Sequence, residues 1–217
     1  MPEWITFFVN YFLHLDKTLG DLVANYHAWV YAIMFVVVFC ETGLVVTPFL
    51  PGDSLLFTAG AIATKGELDP WNLVLVLGVA AVLGDAVNYA IGAYVGPKIF
   101  SRPKSRFWNP VHLRQAHEFY EKYGGKTIII ARFLPIFRTF APFVAGIGSM
   151  SYRRFALYNV VGAGLWVMSL VWAGYWFADV PFVKNHFSMV ILAIIVISVL
   201  PAVVEFLRGW RAAHKKA

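Results

Sequence analysis

Charge is scarce in this sequence. Asp, Glu, Lys and Arg supply 14% of its 217 residues, and 59% are hydrophobic. A soluble domain carries about 25% charged residues, so a water-facing globule is excluded and an integral membrane protein is indicated. Cysteine is scarcer still. Cys40 stands alone, which excludes an internal disulfide and a cysteine zinc site. It reads as a small packed residue in a helix. Catalytic signatures are missing too: no His-Glu-x-x-His, Gly-x-Ser-x-Gly, P-loop or Gly-x-Gly-x-x-Gly occurs. His112 and His117 are wrongly spaced to share a metal. The expectation is therefore no enzyme, no metal and no cofactor. The first 27 residues hold Glu3, Asp16 and Asp21 and lack a basic leader with a small-residue cleavage site, so no signal peptide is expected.

Positive charge is present but confined. Seven of the 18 Lys and Arg lie between Lys98 and Lys126, and Arg208, Arg211, Lys215 and Lys216 close the chain. In a chain this apolar, the excess of basic residues in cytoplasmic loops explains the pattern better than nucleic-acid binding.

Apolar stretches long enough to span are few. Trp71–Gly96 and Phe155–Phe177 qualify, as does Phe187–Leu207 with a tolerable kink at Pro201. Trp4–Leu15 reads as an interfacial amphipathic helix. Within residues 98–126, Asn109-Pro110 starts a short helix that Gly124-Gly125 stops. Gly84, Asn88, Gly92 and Gly96 recur every four residues, a stripe suited to close helix packing.

Two other apolar segments are broken and charged. Ala28–Cys40 is too short to cross; Glu41, Gly43, Pro48, Pro51, Gly52 and Asp53 interrupt it, and Leu55–Ala63 is apolar again. Thr127–Met150 holds Arg132, Pro135, Arg138 and Pro142. Both segments contain Phe-Leu-Pro, at 49–51 and 133–135, and go on to Ala-Gly. Descent, break and return describe a re-entrant hairpin. Paired broken segments in two halves of a membrane protein point to a transport site. With the basic loop and C-terminus placed in the cytoplasm, the N-terminus and Asp179–His186 fall outside, and the hairpins open to opposite faces, as an inverted repeat requires.

Ionisable groups in such segments cost roughly 2.5–3.5 kcal/mol each to insert, and so usually serve a function. Arg132 and Arg138 carry planar donor forks that match phosphate or carboxylate. Glu41 and Asp53, placed where a carboxylate is penalised, can carry protons. A plainer reading pairs these arginines with these acids as structural ion pairs. Asp53 can also be no more than the cap of a helix starting at Ser54, and Asp85 with Asn88 a polar pair joining helices. Gly43, Pro48, Pro51, Gly52, Pro135 and Pro142 shape the hairpins.

Five stretches carry a resemblance: Phe39–Phe57, Gly84–Gly92, Phe119–Lys126, Ala131–Met150 and Tyr158–Trp166. With them the chain resembles the DedA family of bacterial inner-membrane proteins, also described by the VTT or SNARE-associated domain. The resemblance implies an all-α membrane fold with two inverted re-entrant hairpins, about three spanning helices and an N-terminal amphipathic helix. It divides the single domain into a first half at 28–97, a basic cytoplasmic loop at 98–126, a second half at 127–177 and a C-terminal span at 187–207. It implies translocation of undecaprenyl phosphate, a polyprenyl monophosphate carrier lipid, between inner-membrane leaflets, with proton-motive-force dependence in some members. Carried over by position, the family's functional charges are Glu41, Asp53, Arg132 and Arg138; we expect Arg132 and Arg138 to bind substrate and Glu41 and Asp53 to couple protons, with Asp85 and Asn88 as our own candidates to line the path. The expected partners are the lipid and protons, with no nucleic acid; a homo-oligomer stays open. Passive phospholipid scrambling, ion–proton antiport, membrane-protein assembly and, last, a membrane phosphatase are the alternatives.

Overall fold

A computed structural model describes residues 29–44, 52–100, 124–148, 150–194 and 196–197, with backbone only at 97–100, 135 and 136. The expected N-terminal amphipathic helix, the helix beginning at Asn109-Pro110, Pro48, Pro51 and the end of the last span lie outside these residues. Among the described residues all regular structure is helical, with no strand. The helices are α1 (Trp29–Gly43), α2 (Gly52–Ala63), α3 (Pro70–Phe100), α4 (Lys126–Arg132), α5 (Pro135–Ile147), α6 (Tyr152–Phe177) and α7 (Pro181–Asn185). Residues 187–194 and 196–197 are also helical.

Among the described residues two helices are long and apolar enough to cross a membrane: α3 over Pro70–Gly96, 27 residues, and α6, 26 residues. At 1.5 Å per residue each reaches about 40 Å, beyond a hydrocarbon core of about 30 Å. α1, with 15 residues, and α2, with 12, fall short. The helix starts follow local chemistry. Asp69 Oδ1 accepts the Asn72 amide at 2.7 Å and Pro70 follows as the first helical residue, a capped entry into α3. Leu134, in extended conformation, separates α4 from α5, and Pro135 opens α5. Pro142 inside α5 lacks the amide hydrogen that would bond the Arg138 carbonyl. Gly124 holds a φ of 65° just before α4, a left-handed turn that glycine accepts without strain.

Residue-to-residue packing divides the chain into two units. One lies within residues 35–50 and 77–166, the other within 1–34, 51–76 and 167–217; α1, α3 and α6 contribute to both. In the first unit, α4 and α5 pack on each other, and Ile128, Ala131, Ala141, Ala145 and Phe155 form a core flanked by Tyr89 and Tyr158. Tyr89 stacks on Phe155, with ring centroids 4.4 Å apart, and its hydroxyl donates to the Met150 carbonyl. In the second unit, α2 meets the end of α6 at backbone distance: a Cβ on Gly60 would strike the Val171 carbonyl, and one on Gly174 the Phe57 carbonyl. Trp71 packs edge-on against Trp172 at 5.3 Å, and Tyr31 accepts the Asp69 amide at 2.9 Å.

The predicted small-residue stripe of α3 does what its spacing suggests. Gly84 lies against Thr42, Phe39 and Gly43 of α1, and Gly92 lies against the Phe143 backbone of α5. Gly146 of α5 answers at Tyr89 and Ala93. Glu41 and Gly43 differ from expectation. They do not interrupt α1 but complete it, and the Leu44 amide still bonds the Cys40 carbonyl at 3.0 Å. The reason is tertiary: Gly43 is where α1 and α3 touch, and Glu41 is buried there. α2 begins at Gly52, so Asp53 is an acid of the first turn, favoured by the helix dipole, and not a cap outside the helix.

The long helices are apolar on their outward faces and carry their few mid-helix polar residues inward, among buried Leu, Ala and Val. Leu75, Val79, Leu83, Val87 and Ile91 form an exposed stripe on α3, while Asp85 and Asn88 are buried. α6 exposes Leu157, Val161 and Leu165 and buries Asn159 and Trp166. That distribution suits a lipid surround and would be an aggregation hazard in water. Replacing Gly92 with Leu should push α3 and α5 apart and cost about 1–3 kcal/mol or more. Val87→Ala on the outward face should change stability by about 0.5 kcal/mol or less. Thermal unfolding of both variants in detergent checks this.

Candidate functional site

Polar side chains are expensive inside an apolar helix packing, so those that are buried mark where the chain tolerates cost. In the first unit they converge. Glu41 on α1, Asp85 and Asn88 on α3, Arg132 at the end of α4, Arg138 in the first turns of α5 and Asn159 on α6 are each 3% exposed or less. Asp85 and Trp166 lie near the midpoints of their spans.

Arg132 is the centre of the cluster. Its Nη2 donates to Asp85 Oδ2 and, at 2.6 Å, to Asn159 Oδ1. Asn159 is itself anchored, its Nδ2 donating to the Val82 carbonyl at 3.0 Å. Arg138 Nη1 pairs with Glu41 Oε1 at 3.5 Å. Both guanidiniums lie over the indole of Trp166, Arg138 at 4.5 Å and Arg132 at 5.9 Å from its centroid. A desolvated cation–π contact is worth about 2 kcal/mol or more. Asn88 Nδ2 donates to the carbonyls of Thr42, at 3.1 Å, and Thr139, at 2.7 Å, tying α1 and α5 to α3. Thr42 folds its hydroxyl back onto the Val38 carbonyl at 2.9 Å.

The cluster is not self-satisfied. Arg132 Nε and Nη1, Asp85 Oδ1 and Asn88 Oδ1 have no hydrogen-bond partner among the described residues. A guanidinium has five N–H donors, so three of those on Arg132 lack an acceptor. Buried donors of this kind suit an oxyanion, which gains more from them in a low dielectric than in water. Among the described residues no group of three or more His, Cys, Asp or Glu could hold a metal ion.

The structure brings together Glu41, Asp85, Asn88, Arg132 and Arg138. Asp53 and Gly52 belong to the other unit, at the start of α2. Pairing departs from the plainer sequence reading in one respect: the carboxylate found on Arg132 is Asp85, 47 residues away in sequence. Asp85 and Asn88 are not a pair, since each serves a different neighbour. Sequence reasoning missed Asn159 and Trp166. The signals were there: an amide within a spanning stretch, and a tryptophan at mid-span, away from the interfacial belts where that residue gathers.

The VTT domain profile matches residues 50–176. The chain is 55% identical over 217 residues to Protein DedA of Escherichia coli K12, covering 99% of both chains. It is 44% identical over 182 residues to a membrane protein of Mycobacterium leprae, covering 84% of this chain and 82% of the relative. It is 36% identical over 154 residues to the inner membrane protein YqjA of Escherichia coli K12, covering 70% and 69%. No solved structure matches the chain.

Removing one member of a buried ion pair strands the other. Arg132→Ala should therefore destabilise the fold by about 3–5 kcal/mol. Adding Asp85→Ala should recover part of that loss, with a coupling of about 0.5–3 kcal/mol between the two sites. A double-mutant cycle on detergent-solubilised protein measures it; strict additivity would show that the pair contributes nothing.

Proposed function

The chain belongs to the DedA family of membrane proteins, and from that membership we propose that it moves a polyprenyl monophosphate, undecaprenyl phosphate in a bacterial inner membrane, between leaflets. The observation that carries the reading is the buried arginine pair over Trp166, with three N–H donors of Arg132 lacking an acceptor among the described residues. A phosphate monoester brings about −1.5 to −2 charges and three acceptor oxygens. Arg132 and Arg138 hold that headgroup, and the hydrocarbon tail stays in lipid.

Charge balance gives the acids their role. Glu41, Asp85, Arg132 and Arg138 sum to zero when all are ionised. A phosphate entering this neutral set leaves it negative unless protons enter with it. Glu41, paired with Arg138 at 3.5 Å, takes one such proton; Asp53, in the first turn of α2 in the other unit, is the second acid assigned to proton coupling. Asn88 lines the headgroup path. No nucleophile is assigned and the protein acts as a transporter, not an enzyme.

The fold reading that accompanies this function is an inverted repeat. We read α1 with α2, and α4 with α5, as two re-entrant hairpins; the break before Pro135 frees backbone groups for the headgroup, and Pro142 adds a kink. The proposed halves are 28–97 and 127–177, with the basic segment 98–126 and the C-terminus assigned to the cytoplasmic side and 187–207 assigned as the last span.

Proteoliposomes carrying fluorescent undecaprenyl phosphate test the proposal. The wild type should move the lipid between leaflets, faster with a pH gradient, and Arg138→Ala and Glu41→Gln should each lose most of that movement. Arg138→Lys and Glu41→Asp should be impaired as well, because the fork and the carboxylate position matter. Movement indifferent to gradient and headgroup would indicate a scramblase. Folded protein that moves no lipid would point to ion antiport or to an assembly role, which the charge-preserving swaps would spare.

A further inference from the structure

We infer that Asp85 is a resident counter-anion that an incoming phosphate displaces from Arg132, while Asn159 keeps the guanidinium in place. The inference rests on the anion-binding reading above and specifies how that site is held when empty. Its basis is an asymmetry around one nitrogen. Asp85 Oδ2 and Asn159 Oδ1 both take hydrogens from Arg132 Nη2, leaving Nε and Nη1 without acceptors among the described residues. Asp85 Oδ1 likewise has no hydrogen-bond partner there. A buried arginine and carboxylate selected only for stability would engage as a two-bond fork and satisfy their remaining atoms. Here the contact is single.

The two acceptors on Nη2 differ in charge and in anchorage. Asn159 is neutral and pinned to the Val82 carbonyl on α3. Asp85 is anionic, and its recorded hydrogen bond is to the arginine that a phosphate would use. Among the described residues the charged groups around it are Arg132, Arg138 and Glu41, which leave no surplus positive charge for a second anion. A phosphate can therefore settle on Arg132 only as the Asp85 contact is released, and Asp85 re-forms it when the phosphate departs. Arg132 does not swing away during the exchange, because Asn159 and the Trp166 face still hold it. Asp85 thus acts as a positioning and release residue, and as the substitute that avoids a bare buried cation between cycles.

Affinity tests this with the full chain in detergent, using fluorescent undecaprenyl phosphate and, in a separate arm, inorganic phosphate. Asp85→Asn removes the competing charge and keeps the shape, so it should bind the phosphate lipid about tenfold more tightly than wild type. In proteoliposomes the same variant should turn over more slowly, since release is no longer assisted. Asp85→Glu keeps the competitor and should bind no more tightly than wild type. Asn159→Ala removes the second holder and should weaken binding about tenfold; it carries the test if Asp85→Asn does not fold. Binding by wild type with Asp85→Asn equal or weaker, or with Asn159→Ala unchanged, overturns the inference alone. No binding of either phosphate by any folded variant overturns the anion reading and this inference with it. Tightening toward inorganic phosphate as well as the lipid supports recognition of the headgroup; tightening toward the lipid alone supports the same displacement with a tail-assisted site.

Discussion

Arg132 meeting Asp85 inside a buried helix packing is the contact on which the rest of this protein depends. Neither charge is tolerable alone: a buried ion without its partner costs several kcal/mol. Everything nearby serves to make the meeting possible. Gly84, Gly92 and Gly146 let α3 touch α1 and α5 at backbone distance. That closeness brings Asn88 within reach of two backbone carbonyls. It also sets Asp85 opposite the end of α4 and allows Trp166 to lie against both guanidiniums. Larger residues in the stripe would separate the helices and strand the charges.

The same constraint explains why the buried polar residues gather at one place while apolar side chains fill both the packing and the outward faces. In water, burial of Leu and Val pays for the fold; in lipid those residues gain nothing by turning inward, so the outward stripe of α3 is Leu75, Val79, Leu83, Val87 and Ile91. Association of the helices then relies on packing and on polar contacts. The short helices fit this economy of contacts. α4 and α5 are joined through Phe133 and Leu134, and the break places Arg132 and Arg138 at the end of one helix and the beginning of the next. A continuous helix would put residues six apart on different faces; the break is what lets both face one indole.

Much of this was legible beforehand. The membrane character followed from the scarcity of charge, the spans α3 and α6 from length, and the glycine stripe from its four-residue spacing. Glu41, Asp85, Asn88, Arg132 and Arg138 stood out because each is a polar group in an apolar stretch. Other features were not legible. Glu41 and Gly43 look like helix breakers in sequence, yet they complete α1, because their neighbours on α3 supply what the local chain lacks. Asn159 and Trp166 look like ordinary residues of a span; their importance exists only once α6 faces α4.

By itself the sequence determined that this chain belongs in a membrane, which two described helices are long and apolar enough to cross one, and which charges had to be accommodated. Those outcomes depend on local quantities: transfer energy per residue and helix length. Only the tertiary structure decided who accommodates whom. Arg132 takes Asp85, 47 residues distant, and Asn159, 27 residues distant, because helix faces meet along a small-residue stripe. Partner choice inside a low dielectric is set by which faces touch, and no spacing along the chain encodes that.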